Sequence, residues 1–404
     1  MGTITANGPL TEHVISDDKS AIMGTYGRVP VAFARGEGMH LWDVEGNRFL
    51  DMVSGGRAGG GLGHCHPKLV AAIQKQAATL CYVSNDYYSP VRSELAKRLS
   101  EKTHGYKAFF CNSGGEAIEG AIKIARKWAK KAKGPDAVEI LTAYQSFHGR
   151  TYGAMSATGQ DKYKEGFEPI VPGFRHMRFM DRQVVTQNMP DDTCAVMLET
   201  VQGESGVYPA GKEYLQDVRR LTAQKNVLLI LDEVQAGFGR CGSFWAYEQA
   251  EVQPDIVTLA KSLGGGLPMG VFMARPDVAE VLGPGTHGST FGGNPLASAA
   301  ALAALDVLDE ENLVQNAKEM GDYFRHSLAG LKREGKPVKE VRGMGLMIGV
   351  ELVGVSATQV QKKCHEAGLL IHTVGENILR ILPALIVKKE HIDEAVGIIA
   401  SSLD

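Results

Sequence analysis

The chain has 404 residues, of which 44% are apolar and 22% charged, and its formal net charge is −3. This composition is typical of a globular protein with two domains, or with one large and one small domain, and the near-neutral charge gives no electrostatic reason to expect a nucleic acid or membrane partner. The six cysteines are widely spaced without a Cys-x-x-Cys pair, which favours reduced intracellular thiols over a disulfide framework or a zinc site.

The N-terminus lacks the basic and apolar regions of a secretory signal. The longest strongly apolar helix-like run, residues 296–305, ends at Asp306 and is too short to span a bilayer. We therefore expect a cytoplasmic protein.

The N-terminal region is predicted to be a loosely ordered arm over residues 1–20, followed by a small meander of short strands over residues 30–51. Residues 54–66 are dense in glycine, which favours a loop that lies close to another group. His64 and His66 in this loop could suggest a metal, but a His-x-His pair without other ligands is usually structural, so we predict no metal site.

A candidate phosphate site follows the short apolar strand at residues 108–111. Asn112, Ser113, Gly114, Gly115 and Glu116 form a turn that leads into an amphipathic helix over residues 117–131. The first amides of a helix are unpaired and its dipole favours negative charge, so this turn can bind a phosphate. The alternative is an ordinary capped helix, since Asn and Ser are good N-cap residues.

The strand at residues 138–143 ends in a segment that contains Phe147, His148, Gly149 and Arg150. An aromatic ring at this position could stack on a flat ligand, and Arg150 could form two hydrogen bonds with a carboxylate. The alternative is a turn with a surface arginine.

Strands then alternate with helices, which predicts βαβ units and a mainly parallel sheet. A strand at 194–199 is followed by Glu204, and a helix at 212–225 leads to the strand at 228–232, which ends in Asp232. Ligands of parallel sheets bind at the carboxyl ends of the strands. Asp232 is therefore placed where a buried carboxylate could hold a pyridine nitrogen.

Lys261 lies between the apolar run at 256–260 and the glycines at 264–266. Burial lowers the pKa of an amine and leaves it neutral and nucleophilic, as Schiff-base chemistry requires. The alternative is a solvated loop lysine. Residues 271–274 follow after a short connection, so this strand is predicted to run antiparallel.

The C-terminal part begins with a glycine-rich loop at 287–295 and a helix at 296–308. Further elements are predicted as a helical region to residue 333, strands at 343–352, 369–373 and 378–382, and helices at 356–366 and 389–402. We predict three regions: an arm and meander at 1–60 that pack with the C-terminal domain, a large cofactor-binding domain at 61–309, and a small α+β domain at 310–404. Arg380 lies inside an apolar strand, where it either reaches solvent at a sheet edge or binds an anion in a cleft.

With Lys261, Asp232, the two glycines of the phosphate turn and the segment from Phe147 to Arg150 in place, the chain resembles the class III pyridoxal phosphate (PLP)-dependent aminotransferases. Within that family it is similar to the acetylornithine and ornithine aminotransferases. The resemblance extends from about residue 26 to the C-terminus and is most specific at 231–239 and 254–270. It implies an α/β protein of PLP-dependent transferase fold type I, in a homodimer whose active site lies at the subunit interface.

The resemblance also implies cofactor contacts. Lys261 would form the Schiff base, Asp232 would pair with the pyridine nitrogen, Gln235 would lie near the phenolic oxygen and Phe147 would stack on the ring. The phosphate would be bound by Ser113, Gly114 and Gly115 of one subunit and Thr290 of the other.

The same resemblance implies the substrate contacts and the reaction. Arg150, helped by Tyr26, would bind the α-carboxylate of the amino donor, and Arg380 that of 2-oxoglutarate or glutamate. Glu204 would pair with Arg380 while the donor is bound. The implied reaction moves the δ-amino group of N²-acetyl-L-ornithine to 2-oxoglutarate and gives N-acetylglutamate 5-semialdehyde and glutamate, a step of arginine biosynthesis.

Several alternatives stay open from the sequence. The donor could be ornithine, succinylornithine, 4-aminobutyrate or another ω-amine, because the stretch at 56–61 departs from the family pattern. Its Arg57 either contacts an acidic donor group or faces solvent. A non-catalytic protein that binds a phosphorylated metabolite is disfavoured because it would need neither Lys261 nor Asp232, and a nicotinamide dehydrogenase because no Gly-x-Gly-x-x-Gly follows an early strand.

Overall fold

The computed structural model describes residues 8–57, 60–182 and 189–404, without the side chains of residues 56–60. The strands are β1 (Phe33–Glu37), β2 (His40–Asp43), β3 (Arg48–Asp51), β4 (Lys107–Cys111), β5 (Glu139–Ala143), β6 (Phe174–Met177), β7 (Thr193–Glu199), β8 (Val201–Gln202), β9 (Tyr208–Pro209), β10 (Leu228–Asp232), β11 (Ile256–Leu259), β12 (Gly270–Ala274), β13 (Val338–Met344), β14 (Met347–Leu352), β15 (Leu369–Leu370), β16 (His372–Val374) and β17 (Ile378–Ile381).

The α-helices are α1 (Pro9–Ala21), α2 (Ser54–Arg57), α3 (Pro67–Ala77), α4 (Pro90–Glu101), α5 (Gly114–Ala132), α6 (Tyr152–Ala157), α7 (Lys212–Gln224), α8 (Pro276–Ala279), α9 (Pro295–Glu310), α10 (Leu313–Arg333), α11 (Ala357–Glu366) and α12 (Lys389–Ser402). Short 3-10 helices lie at Gly60–Leu62, Asp161–Tyr163, Ala246–Ala250 and Lys261–Gly264. Among the residues described, no helix has the length and apolar character needed to cross a membrane.

A seven-stranded sheet in the order β4-β12-β11-β10-β7-β5-β6 forms the centre of the described chain. The strands from β11 to β6 are parallel, and β12 runs antiparallel to both β11 and β4, as the short connection after Lys261 predicted. Every residue of β7 and β10 is buried, which is typical of parallel strands covered on both faces. The predicted fold type I architecture is confirmed.

Helices cover this sheet because they present one apolar stripe to it. On α5, the buried residues recur three and four positions apart and include Ile118, Ile122, Ala125 and Ala129, so that one face packs under β11 and β12. α9 is buried along most of its length and packs against α3 and α4. The carboxyl ends of β4, β5, β7 and β10 are left open on one side of the sheet.

Two smaller four-stranded sheets flank the central one. The first has the order β1-β2-β3-β15, in which Leu369 pairs with Leu50 in a parallel register. The second has the order β13-β14-β17-β16 and contains Arg380 in its third strand. The domain boundaries at residues 60 and 309 stay a prediction. The pairing of β3 with β15 places a strand of the N-terminal region and a strand of the C-terminal region in one sheet.

Four predicted elements differ from the structure. Residues 343–352 were expected as one strand but contain the end of β13, a turn and the whole of β14, because Gly345 adopts a left-handed φ of 52° at that turn. The predicted strand at 369–373 is split between the two smaller sheets as β15 and β16. The expected loose arm contains helix α1, which starts at Pro9, a favourable first residue. The predicted loop at 54–66 contains α2 and a 3-10 turn.

Candidate active site

A cavity of about 370 Å³ opens at the carboxyl ends of the parallel strands. Most of the residues predicted for the site line this cavity: Ser113, Gly114, Gly115, Phe147, Glu204, Asp232, Gln235 and Lys261. They come from segments that are far apart in the sequence, and the sheet brings them together because its parallel strands end at the same edge.

The turn after β4 supplies the unpaired amides of the cavity. Ser113 is the N-cap of the 19-residue helix α5, and its Oγ accepts a hydrogen bond from the Glu116 amide at 3.2 Å. The Glu116 side chain turns back to accept from Asn112 Nδ2 at 3.3 Å. The amides of Gly114 and Gly115 precede the first intrahelical hydrogen bonds, and they lie at the positive end of the helix dipole beside the cavity.

Asp232 ends β10 and is only 5% exposed. Its Oδ1 accepts hydrogen bonds from the Val234 amide and from Thr258 Oγ1, both at 3.1 Å. Its Oδ2 lies 2.8 Å from Nδ1 of the buried His148 ring. These contacts fix the orientation of the carboxylate, and within the described residues His148 Nε2 has no hydrogen-bond partner of its own.

A second buried acid, Glu199, lies directly beside Asp232. The parallel register of β7 and β10 pairs Glu199 with Asp232. Burial and the negative charge of Asp232 raise the pKa of the Glu199 carboxyl well above its ordinary value of 4.5, although the Phe147 amide donates to its Oε2 at 3.0 Å. Burial and the adjacent carboxyl therefore both favour the protonated form of Glu199.

Lys261 begins the 3-10 turn after β11 and lines the cavity, which contradicts the alternative of a solvated loop lysine. Its φ of 37° is left-handed, a conformation that costs a non-glycine residue on the order of 1 kcal/mol. Burial lowers the pKa of the Lys261 amine, and the nearby carboxylates of Glu204 and Asp232 oppose that effect. The net effect is a lowered pKa, which increases the fraction of the amine that is neutral and nucleophilic.

Arg380 does not lie at a solvent-exposed sheet edge, because β17 lies between β14 and β16. It contacts Glu204, which lines the cavity. Its side chain is 0% exposed; NH1 lies 2.7 Å from Glu204 Oε1 and donates to the Gly203 carbonyl at 3.0 Å. Within the described residues, its Nε and NH2 have no partner. Gln235 Nε2 also donates to Glu204 Oε1, at 3.2 Å.

The charge of Arg380 determines the ionisation of Glu204. Burial alone would raise the pKa of the Glu204 carboxyl, but the positive charge and hydrogen bond of Arg380 lower it to about 2. The carboxylate is therefore ionised and paired at neutral pH, and it covers a buried guanidinium that has two more nitrogens available for an anion.

Four predicted site residues do not line this cavity: Arg380, which meets it through its partner Glu204, and Arg150, Tyr26 and Thr290. Arg150 is exposed, with its guanidinium 4.1 Å from the centre of the Tyr163 ring. Tyr26 is 75% exposed in the N-terminal segment, next to Arg28. Thr290 lies in a separate, smaller cavity beyond β4. The side chain of Arg57 lies outside the described residues.

The two histidines of the glycine-rich segment have structural partners. His64 Nε2 lies 2.8 Å from Asp51 Oδ2, and His66 Nε2 lies 2.9 Å from Glu311 Oε1. Within the described part of the chain, no group of three or more His, Cys, Asp or Glu side chains is arranged to hold a metal ion.

Sequence reasoning missed His148 and Glu199 as members of the site. His148 was noted only as part of the segment between Phe147 and Arg150. Glu199 was noted as the end of a strand, and that position carried a usable signal. An acid that ends a buried parallel strand, like Asp232, lies at the edge where ligands bind.

The donor set of the cavity fits PLP. A buried carboxylate can hold the protonated pyridine nitrogen, an amine of lowered pKa can react with the aldehyde, and free helix amides can bind the phosphate. Asp232, Lys261 and the turn at Gly114 and Gly115 supply these groups around one cavity. The half-buried ring of Phe147 forms part of the wall between them.

Residues 23–403 match the family model of the class III aminotransferases. The acetylornithine aminotransferase of Caldanaerobacter subterraneus subsp. tengcongensis is 48% identical to the chain over 386 residues, which cover 96% of this chain and 98% of that protein. The acetylornithine aminotransferase of Methanocaldococcus jannaschii is 46% identical over 96% of each chain.

Among solved structures, the ornithine aminotransferase of Toxoplasma gondii superimposes with a TM-score of 0.92 at 35% identity, over 97% of this chain and 94% of that one. The sequence, the fold and the groups around the cavity all indicate the same family. The chain belongs to the class III aminotransferases, which are PLP-dependent transaminases.

Proposed function

We propose that this aminotransferase moves the δ-amino group of N²-acetyl-L-ornithine to 2-oxoglutarate, and that it serves arginine biosynthesis in the cytoplasm. Relatives named acetylornithine aminotransferase, at 42% to 48% identity over nearly the whole chain, support this donor. The structural observation that carries the proposal is the buried pair of Arg380 and Glu204, because it offers an anion site that can be closed or opened.

Lys261 and Asp232 are proposed to do the chemistry with the cofactor. When bound, PLP supplies an electron sink that makes the carbon beside the donor's amine acidic. Lys261 Nζ lies in the cavity and is the base and acid for the proton at that carbon. Asp232, oriented by His148 and Thr258, keeps the proton on the pyridine nitrogen. The raised pKa of Glu199 beside it disfavours a second negative charge there.

The two substrates are proposed to use Arg380 differently. When glutamate or 2-oxoglutarate binds, Glu204 moves away, and the α-carboxylate takes its place on a guanidinium that has two free nitrogens. When N²-acetylornithine binds, Glu204 stays on Arg380 and neutralises it, so the δ-amino end of the donor meets no exposed positive charge. Arg150 then binds the donor's α-carboxylate, and Tyr26 is a further contact. Gln235 donates to Glu204 in the closed state.

We also propose a homodimer whose active site lies at the subunit interface. Thr290 is exposed and lines a cavity other than the one that contains Lys261 of its own subunit, which supports a role toward the phosphate of the other subunit. Exposed aromatic side chains support the same assembly. They include Tyr87, Phe291 and Tyr88, the last of which is 97% exposed.

The donor is tested by a half-reaction without 2-oxoglutarate. The PLP-loaded protein is mixed with N²-acetyl-L-ornithine, L-ornithine, N²-succinyl-L-ornithine or 4-aminobutyrate, and the loss of cofactor absorbance is followed. Fastest conversion with N²-acetyl-L-ornithine supports the proposal, and the Lys261→Ala protein serves as the unreactive control. Faster conversion with any other amine would replace the donor while leaving family membership intact.

A further inference from the structure

We propose that Tyr163 is a positioning residue that sets the selectivity for donors with an α-carboxylate. Its ring holds the Arg150 guanidinium beside Phe147 while leaving the N–H groups of that guanidinium free. The inference rests on the proposed function, in which Arg150 binds the donor's carboxylate.

Within the described part of the chain, the contacts that hold the Arg150 side chain are with aromatic rings. Its guanidinium carbon lies 4.1 Å from the centre of the Tyr163 ring and 5.5 Å from that of Phe147. Among the residues that the structure describes, no hydrogen bond or ion pair involves its side chain. This differs from Arg380, whose NH1 is bound by Glu204 and by a backbone carbonyl.

A ring is a suitable support for an arginine that must bind a carboxylate. A cation over a ring face is attracted by the π-electrons, and this contact uses none of its hydrogen-bond donors. Arginine has five N–H groups in a planar fork that matches a carboxylate. A carboxylate partner in the protein would instead occupy that fork and compete with the substrate. Tyr163 thus fixes the cation without blocking it.

The position of the Tyr163 ring is fixed by buried residues on both sides of its 3-10 turn. Before the turn, Gln160 is buried and its Nε2 donates to the carbonyls of Gln145 and Ser146, both at 3.2 Å. These two residues immediately precede Phe147, so the turn is tied to the segment that carries both Phe147 and Arg150.

After the turn, Lys164 is also buried, and its Nζ lies 2.7 Å from His176 Nε2. Burial lowers the pKa of His176 to about 4, so the ring is neutral and accepts this hydrogen bond. The Tyr163 ring meets Phe147 edge-on, with centroids 5.5 Å apart and planes at 79°. Phe147 lines the cavity, which places the supported guanidinium next to the site.

The chain offers matched variants for the test. Tyr163→Phe keeps the ring and removes only the hydroxyl, which has no hydrogen-bond partner among the described residues. Tyr163→Leu and, as a second variant should leucine impair folding, Tyr163→Gln remove the ring face. Lys162→Ala is the control, because Lys162 Nζ also lies over the Tyr163 ring, at 4.8 Å, without a proposed role.

The measurement compares donors that differ only in the α-carboxylate. Half-reaction kcat/KM is measured for N²-acetyl-L-ornithine and for its decarboxylated analogue N-acetylputrescine, together with the half-reaction of 2-oxoglutarate. Loss of the ring should lower the preference for the carboxylate-bearing donor about 3- to 30-fold. The Phe variant and Lys162→Ala should keep the wild-type preference, and the 2-oxoglutarate half-reaction should not change.

Binding is measured separately from turnover by calorimetric titration of N²-acetyl-L-ornithine into the Lys261→Ala protein with and without Tyr163→Leu. The dissociation constant should rise by the same factor. In a double-mutant cycle, Tyr163→Leu should add little once Arg150→Ala is present, because the ring acts through that arginine.

Several results would overturn the inference: equal losses for both donors, an equal loss with Lys162→Ala, or a full effect of Tyr163→Leu in the Arg150→Ala background. If N²-acetylornithine is not the preferred donor, the proposed function is wrong, but the inference about Tyr163 can still be tested. If ornithine reacts faster than N²-acetylornithine, the same comparison is made with ornithine and putrescine, and Tyr163 is judged on that pair.

Discussion

Removal of the Glu204 side chain should shift the enzyme toward glutamate and 2-oxoglutarate. In the structure, Glu204 Oε1 lies 2.7 Å from Arg380 NH1, and the guanidinium is completely buried. A substrate carboxylate can use Arg380 fully only after this ion pair is broken. Glu204→Ala removes that competition and leaves the arginine available to substrate.

The magnitude follows from the pKa of Glu204. Lowering this pKa from 4.5 to about 2 corresponds to roughly 3 kcal/mol in favour of the ionised, paired carboxylate. This is an upper limit, because the 21% exposed carboxylate recovers hydration when it moves away from Arg380. We expect kcat/KM for glutamate to rise about 10- to 100-fold relative to kcat/KM for the donor, since each 1.4 kcal/mol is a factor of ten.

The assay is a pair of half-reactions by rapid mixing of the PLP-loaded protein with L-glutamate or with N²-acetyl-L-ornithine. Ser205→Ala is the matched control: it lies in the same loop, and its Oγ bonds to Gln202 and not to Arg380. The ratio should be constant between about pH 5 and pH 9, because a carboxyl with a lowered pKa stays ionised above its ordinary value and loses its pairing only as the pH falls toward 2.

An unchanged ratio in Glu204→Ala would refute the gating role, as would the same change in Ser205→Ala. A ratio that changes strongly near pH 7 would show that another titrating group controls Arg380. In either case the ion pair would be structural, and the discrimination between the two substrates would have to come from elsewhere in the cavity.

Three further variants test other parts of the site. Lys261→Met should abolish turnover and raise the Tm of the cofactor-free protein at pH 7, because a buried amine with a lowered pKa destabilises the fold below that pKa. The gain in Tm should fade as the pH rises toward 10.5. A lower Tm than wild type at pH 7 would contradict this reasoning. His148→Phe should reduce kcat about 10- to 100-fold, because it removes the donor to Asp232 Oδ2. Steady-state kinetics measures this, and an unchanged kcat would contradict it. Arg240→Lys should lower the free energy of unfolding, measured by denaturant titration, by about 2 to 4 kcal/mol. The buried Arg240 donates to the carbonyls of Gly55, Leu346 and Pro383, and lysine cannot reach all three. Unchanged stability would mean that these hydrogen bonds make no net contribution.

The central sheet could be predicted because its signals are local. Apolar runs separated by helical patterns predicted parallel strands, and the short connection after Lys261 predicted the antiparallel β12. The C-terminal hairpin could not be predicted as easily. Residues 343–352 read as one continuous apolar strand, and the turn depends on the left-handed Gly345 and on pairing with β17.

The candidate site was predictable where a single strand end carries the chemistry, as with Asp232 and Lys261. Glu199 was missed because its importance comes from strand register, which places it beside Asp232 although 33 positions separate them in the sequence. The environment of Arg380 was undecided for the same reason. An arginine in an apolar strand is compatible with an edge or a cleft until the neighbouring strands are known.

The order of the strands also has a consequence for how the enzyme is made on the ribosome. The central sheet uses residues 107–274 in one continuous stretch, so it can form while the rest of the chain is still being synthesised. The partner of Leu50 in β15 is Leu369, and Arg380 follows soon after it. Such distant pairings form late because long loops must close first. A nascent chain can therefore contain a folded central sheet with Asp232 and Lys261 before the anion site at Arg380 exists. The last few dozen residues then complete both the active site and the N-terminal sheet.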